Sequence, residues 1–335
     1  MELLAKKCPD CSSSHFHVHC TYQTQNQGPR RLYVCQECGA YFSETKATLM
    51  ARLKKPLSLI WKVLKARTEG SGLNATARTF EVSKNTVLDW ERRCAELQPV
   101  LFLYALVHQF LQVVVEGDEA YTKVDKTVPP DQSEGWTLLL MERASRFIWT
   151  LEWGKKERRL FLQAIQTLEQ LLQEAEEVTL LTDGERRYGN LLFELCGELL
   201  HSGKPGRPKK TLQKGVKVRL KNKGSQAHKR GRKRPQYQAP WPEHPQTAHP
   251  VEEHQIPTNH AEAFFSALRR KCAAFRRRTN TYAKSRKGLQ RLLDVYWVIH
   301  NFLRVHFTTQ EVPAVALGVI NRRLSVQELF LMQAA

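Results

Sequence analysis

The spacing of apolar positions changes several times along the chain, and each change marks an element. From Leu53 to Arg67 the apolar residues Leu57, Ile60, Trp61 and Leu64 fall at helical intervals, and Gly70, Ser71 and Gly72 end the run. From Asn74 to Trp90 a second pattern reads as helix, tight turn, helix, with Ala77, Phe80, Val82, Val87 and Trp90 as its small core. The stretch Val100 to Val115 reads as a buried helix followed by a strand. Val113 to Val115, Leu138 to Met141, Ile148 to Trp153 and Val178 to Thr182 are short apolar runs that predict strands. A long amphipathic helix, Glu157 to Glu174, separates the last two. Helical spacing returns near Asn259 and continues, with a break near Asn280, to about His306; its stripe of Leu289, Leu292, Leu293, Tyr296, Ile299, Phe302 and Leu303 reads as core. Three strands, a helix and a further strand predict an α/β or α+β core within a multidomain α+β chain.

Charge changes this picture in two places. The 335 residues carry a formal charge of +19, and its source is local. Residues 203–240 hold 14 Lys or Arg and no acid, and residues 262–304 hold 11 basic residues against two acidic ones. Two such blocks beside ordinary sequence point to a nucleic-acid footprint. Residues 203–257, rich in Lys, Arg, Pro, Gly and Gln, read as a basic insertion or arm with little to bury. The sequence shows no apolar signal core and no run of the roughly 20 apolar residues that a membrane span needs, so it predicts a cytoplasmic protein with no membrane partner.

Cysteines and acids supply the chemistry. Cys8-Pro-Asp-Cys11 and Cys35-Gln-Glu-Cys38 are two knuckles with 23 residues between them, a spacing that suits one structural Zn²⁺ in a ribbon. His15, His17 and His19 alternate between the knuckles and read as an exposed polar face. In the helix-turn-helix, Ser83 is placed to cap the second helix, and Lys84, Asn85 and Thr86 are its candidate DNA-reading residues. Asp118 and Asp183 each follow a predicted strand, and Glu262 begins a predicted helix. Two strand acids and one helix acid are the ligand set of a ribonuclease H-like nucleotidyl transferase, in which hard oxygens hold two Mg²⁺ (or Mn²⁺) ions. Glu116 competes with Asp118 for the first position; Glu119 and Glu185 read as surface or supporting groups. Arg269, two helical turns beyond Glu262, is placed to meet DNA phosphates, with Arg270, Arg276, Arg277 and Arg278 behind it. Pro205-Gly206-Arg207-Pro208-Lys209-Lys210 is similar to an AT-hook, so Arg207, Lys209 and Lys210 are further DNA-contact candidates.

With these motifs in this order, the chain resembles the DDE transposases of the insertion-sequence-one family over nearly its whole length. The matching segments are the four cysteines, Ala75 to Arg92, Gly117-Asp118-Glu119, Thr182-Asp183-Gly184, Asn259-His260-Ala261-Glu262 and the basic run from Arg269 to Thr279. The resemblance implies a zinc ribbon over 1–50, a helix-turn-helix domain over 51–98, a ribonuclease H-like catalytic domain over 108–310 and a tail over 311–335. It also implies cutting and joining of the element's terminal inverted repeats, with Asp118, Asp183 and Glu262 as the catalytic metal ligands. The implied partners are double-stranded DNA, at the repeats and at the target, and further copies of the chain on that DNA in a prokaryotic nucleoid. Well-known members split the DNA-binding and catalytic parts between two reading frames, whereas here they are continuous. The alternatives are a non-catalytic DNA-binding regulator and a structure-selective nuclease of the same fold.

Overall fold

The computed structural model describes residues 6–26, 28–125, 129–130, 132–182, 185–200, 209–220, 259–276 and 280–333. It is a mixed α+β structure that separates into two compact units: residues 1–105, 270–276 and 291–335 in the first, and residues 106–269 and 277–290 in the second. The contacts thus cut across the linear boundaries read from sequence, because residues beyond 290 join the first unit.

The first unit opens with an antiparallel three-stranded ribbon of β1 (Phe16–Thr24), β2 (Gly28–Cys35) and β3 (Tyr41–Ser43), in that order. Its core is small: Cys8, Tyr33, Cys35 and Phe42, with Phe16 and Ala40 packed against them. Three helices follow, α1 (Leu57–Arg67), α2 (Leu73–Thr79) and α3 (Lys84–Ala95), each packing on the other two. Ala77, Val87 and Trp90 are buried as expected, whereas Phe80 and Val82 are only half-buried. Ile60, Val63 and Leu64 of α1 supply the rest of that core. The turn between α2 and α3 is closed by Glu81 at φ 52, with Val82 N–H donating to the Ala77 carbonyl. A left-handed residue here lets the chain reverse while the last carbonyls of α2 stay bonded.

Glu91 of α3 is 1% exposed and sits between two guanidiniums, Arg67 Nε at 2.6 Å and Arg291 Nε at 3.2 Å. A buried carboxylate is costly unless paired, and these two cations from distant parts of the chain meet that need. α4 (Leu97–Leu106) follows α3, and α9 (Pro313–Ala316) and α10 (Val326–Phe330) lie near the end of the chain. α10 begins with a capping box formed by Ser325 and Glu328.

The second unit is built on a five-stranded sheet. β4 (Phe110–Tyr121), β5 (Trp136–Glu142) and β6 (Ile148–Gly154) form an antiparallel meander, α5 (Arg158–Glu174) crosses the sheet, and β7 (Ala175–Thr182) returns parallel to β4. After α6 (Arg186–Leu195), a hairpin of β8 (Gly197–Leu200) and β9 (Lys209–Leu212) leads to β10 (Val216–Leu220), parallel to β7. The strand order is β10-β7-β4-β5-β6. α5 buries Leu160, Phe161, Ala164, Ile165, Leu168 and Leu171, the stripe its periodicity predicts. Residues 209–220 fall inside the segment read as a basic arm, and that reading is corrected here. Leu212 and Val216 are buried, and the alternation Val216, Val218, Leu220 supplies a strand pattern that the surrounding Lys and Arg obscured. The rest of 203–257 lies outside the described residues. α7 (Asn259–Lys271) is followed by a 3₁₀ turn at Ala273–Phe275 and by α8 (Arg286–Phe302), so the helical run breaks earlier than expected. Among the described residues no helix is long and apolar enough to cross a membrane.

Candidate metal and nucleotidyl-transfer sites

The four knuckle cysteines converge. Their Sγ atoms all lie within 4.8 Å of one another, with Cys8 to Cys38 at 3.7 Å and Cys11 to Cys35 at 3.5 Å. A tetrahedron with metal–sulfur bonds of about 2.3 Å has edges of about 3.8 Å, so the set fits Zn²⁺ with no donor missing. Backbone geometry explains the convergence. Ser12 at φ 61 and Gly39 at φ 70 turn the knuckles back, with Ser12 N–H donating to the Cys8 carbonyl and Gly39 N–H to the Cys35 carbonyl. The Cys38 and Glu37 N–H groups aim at the Cys35 sulfur and bring its thiol down to about 7. The Ser13 N–H favours the Cys11 thiolate, but hydrogen bonding with its neighbours, Cys38 first, pushes the Cys11 thiol up to about 12. Loading a metal at this set would release the proton that Cys11 holds. The histidines between the knuckles stay outside this set: His15 Nδ1 lies 3.0 Å from Glu37, and His19 packs edge-on to Tyr41.

In the helix-turn-helix, Ser83 Oγ accepts from Thr86 N–H at 3.0 Å, the predicted cap. Lys84 and Asn85 are exposed and Thr86 is half-buried.

The acids are arranged around β4. The sequence reading set Asp118 at a strand end, but cross-strand pairing carries β4 on to Tyr121, and Asp118 sits inside it opposite Leu139. Gly117 pairs with Thr182 of β7, the last residue described before Asp183. Asp183 and Gly184 lie outside the described residues. Gly117 has a packing reason: a Cβ there would stand 3.3 Å from Tyr188, Leu140 and Thr182. Side chains alternate along the strand, so Gly117 and Glu119 face Tyr188 of α6, while Glu116 and Asp118 face the opposite side.

On that opposite side is the start of α7. Glu116, with no exposed surface, accepts from the His260 N–H at 3.1 Å and the Ala261 N–H at 3.0 Å, and its Oε1 lies 2.7 Å from His260 Nδ1. Arg143 Nε adds an ion pair at 3.4 Å. A carboxylate there satisfies two N–H groups that a helix start leaves without intrahelical partners. Glu116 is thus a clasp that ties the helix bearing Glu262 to the strand bearing Asp118. Glu262 itself is exposed in the first turn of α7, and its negative charge suits that end of the helix dipole. α7 is unbroken to Lys271, which places half-buried Arg269 two turns beyond Glu262, with Arg270 exposed.

Glu119, read as a surface or supporting group, has a side chain only 6% exposed. It pairs with Lys156 and accepts from the Tyr188 hydroxyl at 3.4 Å; Lys156 also lies 3.5 Å from Glu185. Glu185 caps α6 through the Arg187 N–H. Arg276 is exposed, with its guanidinium over Gly70. Lys209 and Lys210 belong to β9, while Arg207, Arg277 and Arg278 lie outside the described residues. Among the described residues the four cysteines are the set that converges as metal ligands. Sequence reasoning gave no role to His260, Arg143 and Lys156; His260 stands two residues before Glu262, while Arg143 and Lys156 lie far from every motif acid in the chain.

No protein-family model matches this chain, and no curated protein matches it.

Proposed function

We propose that this chain is a DDE transposase of the insertion-sequence-one type. In this reading it recognises terminal inverted repeats through the zinc ribbon and helix-turn-helix, and cuts and joins DNA at Asp118, Asp183 and Glu262. The observation that carries the reading is the sheet order β10-β7-β4-β5-β6, an antiparallel meander followed by two strands parallel to the first. That is the strand order of a ribonuclease H-like fold, with Asp118 on the central strand and the helix of Glu262 clasped to it by Glu116. Two Mg²⁺ ions bound by the three acids would supply an activated hydroxyl and stabilise the leaving oxygen. The chain's own groups position the acids and, through Arg269 and Arg270, neutralise backbone phosphates. Subunits of the same chain would assemble on paired ends, at the nucleoid.

The test uses full-length, zinc-loaded protein and the DNA flanking its own coding sequence. Asp118→Asn, Asp183→Asn and Glu262→Gln should each abolish cleavage and joining in Mg²⁺ while end binding stays nearly intact, because each keeps side-chain size and removes a metal-holding charge. Undiminished activity in all three variants would sink the proposal. Cleavage of branched DNA without joining would support the nuclease reading instead.

A further inference from the structure

Beyond β4 the chain is pinned by a segment from far along the sequence. Val124 bridges in parallel to Ala283, and Asp125 N–H donates to the Ala283 carbonyl at 2.9 Å. Val124 is buried, so packing as well as hydrogen bonding holds the junction. One lysine from each side of it reaches the same ring: Lys123 Nζ lies 4.2 Å from the Tyr282 centroid, and Lys284 Nζ lies 3.2 Å from it. The neighbouring Arg286 is paired with Glu134, but neither lysine has an ion pair among the described residues. Lys284, supported by Lys123, holds the Tyr282 hydroxyl below its ordinary range, against burial and the charge of Asp125.

Two ammonium groups gathered at one ring repel each other, and the ring's π electrons and the nearby charge of Asp125 offset that repulsion only in part. An anion within reach of both ammonium groups gains attraction from each and relieves that repulsion. We propose that Lys123, Tyr282 and Lys284 form a grip for the phosphate backbone of DNA, on the stretch leading away from the Asp118 site. This inference rests on the DNA-processing reading above. Lys123 follows Asp118 by five residues, at most about 17 Å of extended chain. Strand and B-form DNA both rise about 3.4 Å per unit, so the gripped phosphate lies within about five nucleotide steps of the reacting one. The grip is independent of sequence, because it touches only backbone charge. Tyr282 acts as a post that keeps both lysines extended.

The test is equilibrium binding of full-length, zinc-loaded protein to a short duplex of arbitrary sequence across a salt series. The double variant Lys123→Ala/Lys284→Ala should flatten the slope of log affinity against log salt by about 1.8, the release of two counterions. Lys123→Arg/Lys284→Arg should restore it. Tyr282→Phe should keep the slope, and Tyr282→Leu should weaken binding at low salt. An unchanged slope in alanine variants with native circular dichroism and zinc content overturns the grip, as does failure of the arginine pair to restore it. Lysine-dependent binding to phosphatidylserine vesicles with an unchanged DNA slope also overturns it, in favour of a membrane surface. A flattened slope alongside full cleavage by Asp118→Asn would leave the grip standing and remove the transposase reading. An unchanged slope with inactive acid variants would do the reverse.

Discussion

The ribbon at the front of the chain and the five-stranded sheet of the second unit are both β-structures, and they hold together on opposite terms. β1 is exposed along nearly its whole length, and the ribbon's core contains two of the four converging cysteines, Cys8 and Cys35. In the sheet, Leu138, Leu139, Leu140 and Met141 are consecutive and all buried, as are Val113, Val115, Val178 and Leu180 on neighbouring strands. Both faces of β5 are therefore covered, whereas the ribbon has too little apolar area to stand unaided. The difference teaches that strand pairing alone stabilises neither: one offers four cysteines that could hold a metal, and the other is covered on both faces.

Chelation is the strongest way to break the comparison. Structural zinc contributes apparent binding free energies of about 10–16 kcal/mol in small modules, so its removal should unfold residues 6–50 while the sheet keeps its hydrogen-exchange protection. Simultaneous loss of protection in β4 to β7 would show that the two regions are not separately supported. Leu139→Ala sharpens the other side. It should cost about 2–5 kcal/mol in urea denaturation of the sheet, with zinc retention unchanged in a competitive chelator assay.

Glu116→Ala is a smaller blow to the same sheet. It leaves two helix-start N–H groups and His260 without their acceptor, at about 1–3 kcal/mol, and should lower the rate of strand cleavage more than it lowers DNA affinity. Glu116→Gln keeps one acceptor oxygen and should lie between Ala and wild type; a Gln variant as impaired as Asp118→Asn would instead make Glu116 a metal ligand. Least of all should be felt from Lys84→Ala, Asn85→Ala and Thr86→Ala together. These residues begin α3 outside both cores, so thermal stability should hardly move, while discrimination between repeat and random DNA falls by about 1–3 kcal/mol per lost base contact. Equal losses on both DNAs, in a filter-binding titration, would remove base reading from this helix.

The strands of the meander were legible because β-branched and apolar runs bounded by turn residues have few other fates. The knuckles were legible because four thiols at that spacing have one common use. β9 and β10 were not, since Lys and Arg between Val216, Val218 and Leu220 drew attention to charge and away from the period of two. The end of β4 was misjudged because Glu116-Gly117-Asp118-Glu119 reads as a turn; only pairing with β5 makes it strand. The clasp between Glu116 and His260 joins residues 144 apart, and local pattern carries no trace of such a contact. The same holds for Glu91, whose second cation lies 200 residues downstream.

That last separation sets a schedule for synthesis. Lys7 N–H donates to the Gln333 side chain at 2.8 Å, and Gln333 also forms a bridge with Thr48, so the first unit draws on both extremes of the described chain. At ribosomal rates of about 5–20 residues per second, the 326 residues between those partners take roughly 15–65 s to appear. For the 200 residues that separate Glu91 from Arg291, roughly 10–40 s of that time, α3 carries a glutamate whose second cation has not yet been made. The sheet of the second unit meanwhile has all its strands once Leu220 has emerged. A nascent chain thus has its sheet strands in hand before the contacts that complete its helix-turn-helix, and a product stopped short of residue 291 would carry Glu91 with Arg67 alone.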